Sequence, residues 1–437
     1  MKQLLLNKRI KSAFFLSIIS YLALGIGFIT QAFAARILGV QDYGIVSLAL
    51  AYPSILFSIT SPKSVSVLTR YIAKYRAENK RNLILITCLL GYTLDLVTSL
   101  IAVIIILLTS QYISANFYRT IEVTSLTNIY SLSLPLLAIT STSTAIINGY
   151  EKYSSLGWFQ LLEKLSMPLC FLFILPIIKS NSLSFICAYA AANYFYGLIC
   201  LVFTIYILYK NGLLKNIVSV VTQLSFKNEL RKLAYELASS YTWNFILVTI
   251  TGFISQLPVI ILGSLGTPKD AGFYKLGSMI AVAASYPKVA MGRILLPKLS
   301  VEASNLTWIQ MLQNLKRWTL NLGIPISLII LILSMLIYPA IKTFYGSQYI
   351  SSILGIQILI VASAFLTTFF WLEPFYYAYA KYKLFTNLHF AYFFVFCSSS
   401  FILTLAFGFT GMCFADLLSK LFLISLLLGY SRKCLVN

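Results

Sequence analysis

The chain has 437 residues, of which 59% are hydrophobic and only 10% charged, and its mean hydropathy is +0.85. A soluble globular chain carries about a quarter charged residues, so a water-facing globular surface is excluded and the bilayer is the expected solvent. The formal charge of +21 comes from 33 Lys and Arg against 12 Asp and Glu, and it requires an account that fits a membrane.

A spanning helix needs about 20 largely apolar residues, and the chain supplies twelve such stretches. Residues 1–11 form a basic leader with Lys2, Lys8, Arg9 and Lys11. It resembles a signal peptide, but the apolar stretch behind it is long and lacks a small-residue cleavage site, so it is expected to remain as the first helix, 12–35. A short turn at 39–44 leads into helix 44–69. Helices 83–109, 125–148, 157–178 and 183–209 complete the first half. A link at 210–238 follows. In it Leu230, Leu233, Ala234 and Leu237 share one helical face, which predicts an amphipathic helix lying on the cytoplasmic leaflet. The second half supplies 239–263, 272–297, 318–338, 351–379, 385–407 and 411–430. The expected fold is an all-α integral membrane protein of two six-helix lobes, 1–215 and 216–437.

A repeat supports this division. Leu38-Gly39 is followed by Asp42-Tyr43-Gly44 and an apolar stretch ending at Arg70; Leu265-Gly266 is followed by Asp270-Ala271-Gly272 and an apolar stretch ending at Lys298. The two stretches are equally long, and one residue is added between Leu-Gly and Asp-x-Gly in the second copy. Six helices per half return the chain to the same side, so the two lobes are parallel repeats about a pseudo-two-fold along the membrane normal, a usual frame of a transporter. In each turn glycine is expected to allow the reversal (Gly39 and Gly44; Gly266 and Gly272), and Asp42 and Asp270 are expected to cap the following helix.

With both termini inside, 22 of the 33 Lys and Arg fall in cytoplasmic segments and five in outer loops, namely Arg36, Arg119, Lys179, Lys269 and Lys342. This asymmetry predicts cytoplasmic N- and C-termini and attributes much of the basicity to topology and to attraction by anionic headgroups, with no nucleic-acid partner. Asn79→Cys and Asn216→Cys are expected to be shielded from an impermeant thiol reagent in intact cells, and Asn116→Cys to be labelled. Labelling of position 216 from outside would break the two-lobe topology.

The seven cysteines form no C-x-x-C, and all but Cys434 lie in expected spans. They read as small apolar residues, with no metal or cofactor site. The single His389 cannot build a histidine cluster.

The segment Ala35-Arg36-Ile37-Leu38-Gly39-Val40-Gln41-Asp42-Tyr43-Gly44, with Thr69-Arg70-Tyr71-Ile72-Ala73 at the end of the next helix, resembles the opening of Wzx-type polysaccharide repeat-unit flippases. These are the O-antigen and capsule transporters of the multidrug/oligosaccharidyl-lipid/polysaccharide exporter superfamily. The resemblance also covers length, twelve spans and two lobes. It implies a bacterial inner-membrane protein that is not an enzyme and moves a polyprenyl-diphosphate-linked oligosaccharide to the outer leaflet. The implied partners are that lipid-linked cargo, membrane lipids, and a polysaccharide polymerase with its chain-length machinery.

An ionisable group at mid-membrane costs about 2.5–3.5 kcal/mol on insertion scales and needs a reason. Ten such groups are expected inside spans: Lys63, Asp95, Glu163, Lys164, Lys275, Lys288, Arg293, Glu373, Asp416 and Lys420. Lys63 follows Pro62 and Lys288 follows Pro287, in the two repeat-related helices. Lys63 and Arg70 are seven residues apart and are expected to share a face; Arg293 lies deeper than Lys298. Together these five cations are expected to line a cavity that compensates a diphosphate. The alternative is snorkelling to the inner interface, favoured for Arg70 and Lys298. Asp416 and Lys420, four apart, are expected to neutralise each other. Glu163 and Lys164 are adjacent and are expected not to face each other.

Asp95 and Glu373 stand alone, one in each half. Burial makes a carboxylate's charged form costly, so both are candidate proton or sodium sites, with pairing to a cavity cation as the structural alternative. Trp371, Tyr376, Tyr377 and Tyr379 are more easily explained by packing than by sugar stacking. Two other classes compete. A drug/cation antiporter favours an acidic interior, whereas the excess charge here is positive. A membrane polymerase or acyltransferase needs a large outer loop or a histidine motif, and neither is visible. No Gly-rich nucleotide loop is present either, so an ion gradient is the expected driver.

Overall fold

The computed structural model describes residues 2–61, 65–178, 181–213, 224–305, 308–379 and 381–436. Among these residues every regular element is helical, as a bilayer requires of a chain that does not close a barrel. Ten candidate spans are long and apolar enough to cross a membrane, and two are of double length. Helix α1 (Lys2–Thr60) breaks at Gly39, with φ 75° and ψ 171°. A straight helix of that length would measure about 90 Å, three times the hydrocarbon core. The break divides its apolar part, Ile19–Thr60, into two membrane-length pieces, and the positive φ is open to glycine at little cost. The last helix (Tyr382–Val436) breaks in the same way at Gly408, φ 56°. Counting each as two passes gives the expected twelve.

Helix α2 (Val65–Ala77) and α3 (Arg81–Asn116) follow. Helix α3 is arranged for lipid. Leu100, Ile104, Leu107 and Leu108 form an exposed stripe at helical spacing, while Ser99, Ala102, Val103, Ile106 and Ser110 are buried. Large apolar side chains on the outside and small or hydroxylated ones inside suit hydrocarbon, where close helix packing is the attractive force.

Prolines divide spans that the apolar pattern reads as continuous. The stretch 44–69 is two helices, one ending at Thr60 and the next beginning at Val65; Pro62 between them can neither donate to position 58 nor tolerate its carbonyl. Lys63, and with it the face it is expected to share with Arg70, lies outside the described residues. Span 125–148 is α4 (Glu122–Ser131) and α5 (Leu134–Gly149), with Pro135 in the first turn of α5. Helices α6 (Tyr153–Ile174), α7 (Asn181–Lys210) and α8 (Leu224–Leu265) are next. The amphipathic segment expected to lie separately on the membrane is instead the start of α8, which runs on into the seventh span. No Gly or Pro stands before Gly252 to interrupt it.

Span 272–297 is α9 (Pro268–Ala284) and α10 (Tyr286–Asn305), separated at Ser285 just before Pro287. Helices α11 (Trp308–Trp318) and α12 (Ile324–Ser334) form the ninth span. The tenth is a 3-10 turn (Ser347–Ser352), α13 (Ile353–Thr368) and α14 (Leu372–Ala378), broken at Phe369 ahead of Pro374. Helix α15 is the double-length Tyr382–Val436.

Two compact units result. The first comprises 1–31, 52–116 and 120–245; the second comprises 32–51, 117–119 and 246–437. The core of the first is built from Leu68, Ile72, Ile84, Ile86, Ile146 and Phe159. The core of the second is aromatic, around Trp371, Phe375, Tyr376, Phe385 and Phe396.

Candidate functional site

Two prolines make the site in the second unit. Pro287 and Pro374 end the helices ahead of them, so α10 and α14 are free to lie against each other, away from the axes of α9 and α13. Gly292 faces this contact; a Cβ there would lie 3.4 Å from Pro374 Cγ. Lys288, directly after one proline, and Glu373, directly before the other, then meet with Nζ and Oε2 3.8 Å apart. The pair is loose and keeps 26% and 49% of the two side chains exposed. Open pairs of this kind contribute about 0–1 kcal/mol, so either partner can be exchanged for another ion at low cost.

His389, on α15, is close enough to feel both charges. Its Nδ1 is 2.9 Å from the carbonyl oxygen of Phe385, and its ring packs on Phe385 at 4.3 Å. A carbonyl only accepts, so Nδ1 carries the hydrogen and Nε2 is the nitrogen left to exchange a proton. Sequence spacing had no means of finding this residue. A lone histidine has no motif, and its relation to Lys288 and Glu373 runs through tertiary packing.

The other cations are differently placed. Lys298 is exposed, 3.8 Å from Glu302 and 5.1 Å above the Trp318 ring; a lysine on an interfacial tryptophan fits snorkelling. Arg70 is exposed on α2. Arg293 lies on α10, and its side chain, like Lys63, falls outside the described residues.

Asp95 is 1% exposed and accepts from the Thr142 hydroxyl at 2.6 Å and the Thr142 backbone N–H at 3.2 Å. Gly91, one turn earlier, makes this possible, since a Cβ there would lie 2.7 Å from Thr142 Oγ1. Asp95 therefore ties α3 to α5. Its neighbour Tyr92 does the same through Ser143 at 3.0 Å and Thr204 at 2.8 Å.

Asp416 and Lys420 form the expected one-turn pair at 2.6 Å. Glu163 and Lys164, expected not to face each other, also pair at 2.6 Å. Their Cβ atoms diverge, but both side chains are long and exposed enough to curl round the helix. Trp371 and Tyr376 are buried, bonded to Thr319 Oγ1 and the Leu427 carbonyl at 2.8 Å each, so they serve packing.

The repeat turns are built unequally. In the second copy Thr267 is the N-cap, and Asp270 completes a capping box by accepting from the Thr267 N–H at 2.9 Å. Asp270 is thus the reciprocal N3 partner, where the sequence suggested the cap itself. In the first copy Gly39 stands at the break, and Asp42, three residues on as Asp270 is from Thr267, has no cap side chain to answer it. Gly44 and Gly272 do not make the turns. They are helical and bring two backbones together: a Cβ on Gly44 would lie 1.7 Å from the Pro268 carbonyl oxygen, and one on Gly272 2.9 Å from that of Val40.

Residues 10–300, about two thirds of the chain, match the family described as polysaccharide biosynthesis protein. No curated protein is significantly similar in sequence. Among solved structures, the fold is similar to an inward-facing multidrug resistance MATE family transporter of the MOP superfamily, with TM-score 0.73, 10% identity and 94% of each chain covered. It is similar to the lipid II flippase MurJ in an inward closed conformation, with TM-score 0.66, 14% identity, and 96% of this chain and 89% of that one covered. The Vibrio cholerae MATE transporter VcmN gives 0.58 at 12% identity over 97% and 98% of the two chains. At such identities the likeness is one of fold. With twelve helical passes, proline-broken spans and a family match over most of its length, the chain belongs to the polysaccharide biosynthesis protein family and carries the multi-pass fold of MOP-superfamily transporters.

Proposed function

We propose that the chain is a flippase. It moves a polyprenyl-diphosphate-linked oligosaccharide repeat unit, of the O-antigen or capsule kind, across the bacterial inner membrane by alternating access, with both termini cytoplasmic. The observation that carries this reading is the Lys288–Glu373 pair on two proline-broken spans. Broken helices with ionisable groups at the break are where membrane transporters bind cargo and coupling ions.

The pair couples the two events. An incoming diphosphate competes with Glu373 for Lys288, because a doubly charged phosphate group is the stronger acceptor. The released Glu373 then takes a cation from the gradient, a proton or sodium, within electrostatic reach of His389. Glu373 suits this role better than Asp95, which is already engaged by Thr142. Lys63, Arg293, Arg70 and Lys298 supply the remaining positive charge along the cargo's path.

The test is a triple variant, Lys63→Gln with Lys288→Gln and Arg293→Gln, assayed for surface polysaccharide at matched protein level. Loss of polysaccharide, with partial return when Lys is replaced by Arg at the same positions, is the expected outcome. Normal polysaccharide in the triple Gln variant would remove the cationic path from the mechanism.

A further inference from the structure

The second unit holds a pocket of about 480 Å³ at the opposite end of the eighth span from Lys288. Three turns converge on it: the break at Gly39, the start of α9, and the 3-10 turn Ser347–Ser352. Its base is fixed. The Tyr349 hydroxyl donates to the Ala35 carbonyl at 3.0 Å, Arg36 Nη1 donates to the Thr343 carbonyl at 3.1 Å, and the buried Tyr349 ring packs on Phe273 at 6.1 Å.

The walls carry Gln41, Asp42, Lys269, Gln348 and Ser351 around Phe273. Among the described residues, none of these five polar side chains hydrogen-bonds or pairs with another protein group. The repeat explains why Asp42 is available. Its counterpart Asp270 is occupied by the Thr267 capping box, whereas Gly39 offers Asp42 no side chain. The same glycine lets Gln348 lie across the turn, since a Cβ on Gly39 would sit 3.3 Å from Gln348 Oε1.

We propose that this pocket is a saccharide-binding subsite that holds a hydroxyl-rich sugar ring of the exported oligosaccharide. Two carboxamides, a carboxylate and a hydroxyl offer donors and acceptors side by side, the set that adjacent sugar hydroxyls need. Phe273 supplies an apolar surface for the C–H face of the ring, and the volume lies in the range of small-ligand pockets. A phosphate or phospholipid headgroup fits poorly, because the one cation, Lys269, is accompanied by the carboxylate of Asp42. The length of α9, roughly 25 Å of helix rise over its 17 residues, separates Lys269 at its start from the break before Lys288, so the pocket meets the glycan at the far end of the transfer, on the release side in the proposed topology. The inference rests on the flippase reading.

The test uses the full-length protein in detergent and, as probe, the host's own repeat-unit oligosaccharide freed from its lipid diphosphate by mild acid. Saturation-transfer NMR is expected to show binding that falls roughly five- to tenfold in Gln41→Ala/Gln348→Ala, and separately in Asp42→Ala, as one or two hydrogen bonds are lost. Inorganic pyrophosphate is expected not to displace the probe. All three positions are at least partly exposed, and a monodisperse elution profile confirms that the variants fold. Unchanged signal in both variants, displacement by pyrophosphate or by phosphatidylglycerol, or no binding at all overturns the subsite. Flipping of the intact lipid-linked oligosaccharide is measured on the same protein after reconstitution into liposomes. A wild-type protein that flips it but ignores the free glycan loses the subsite alone; one that does neither loses the flippase reading as well.

Discussion

Gly44→Ala is expected to destabilise the protein by about 1–3 kcal/mol, the range for forcing an extra carbon into a closed contact, and Gly44→Val is expected to abolish accumulation in the membrane. The added Cβ would stand 1.7 Å from the Pro268 carbonyl oxygen. A carbon and a carbonyl oxygen rest at roughly 3.3–3.6 Å. The obstacle is backbone, so no rotamer change relieves it, and the segments at Gly44 and Pro268 must part. Gly272 closes the same seam from the other side, 3.1 Å from the Gly44 nitrogen when given a Cβ, so Gly272→Ala is expected to act in the same direction, less strongly. Gly429→Ala is the control. Nothing lies within 4 Å of a Cβ there, and alanine is the better helix former by about 1 kcal/mol, so a neutral or slightly raised melting temperature is expected. Thermal unfolding in detergent by intrinsic fluorescence decides the matter. Equal melting temperatures for Gly44→Ala and Gly429→Ala would mean that the two segments do not meet as closely as described.

Neutralising either member of the Lys288–Glu373 pair is expected to cut polysaccharide export by roughly ten- to a hundredfold, the equivalent of one charge-assisted contact. The open, 3.8 Å geometry of the pair predicts that stability changes little in the same variants, and this separates a transport role from a structural one. Lys288→Arg is expected to keep most of the activity, since positive charge on α10 is what the cargo meets. The exchange Lys288→Glu with Glu373→Lys tests the point directly. It can rebuild the ion pair while placing the cation on α14, and export is expected to stay low. Full export from the exchanged protein would show that the pair only holds the two helices together.

Hydropathy alone was enough to determine the twelve passes, because an apolar stretch of membrane length has no other stable solvent, and Gly39 and Gly408 turn the chain where the apolar pattern pauses. The one-turn pair Asp416–Lys420 was equally legible, since helical geometry fixes which residues four apart can touch. The repeat of Leu-Gly and Asp-x-Gly was visible as a pattern, and so was the turn at Gly39, but its close packing was not. Only the tertiary structure shows that Gly44 and Gly272 seal two backbones together, and that an inserted Thr267 occupies Asp270 while leaving Asp42 to a pocket. The site was half readable. Prolines 287 and 374 marked where helices break, and Lys288 and Glu373 marked costly charge. That the two breaks lie side by side depends on packing between segments about 85 residues apart, for which a single sequence carries no local signal. Periodicity records which face of a helix is apolar; it does not record which other helix that face will meet.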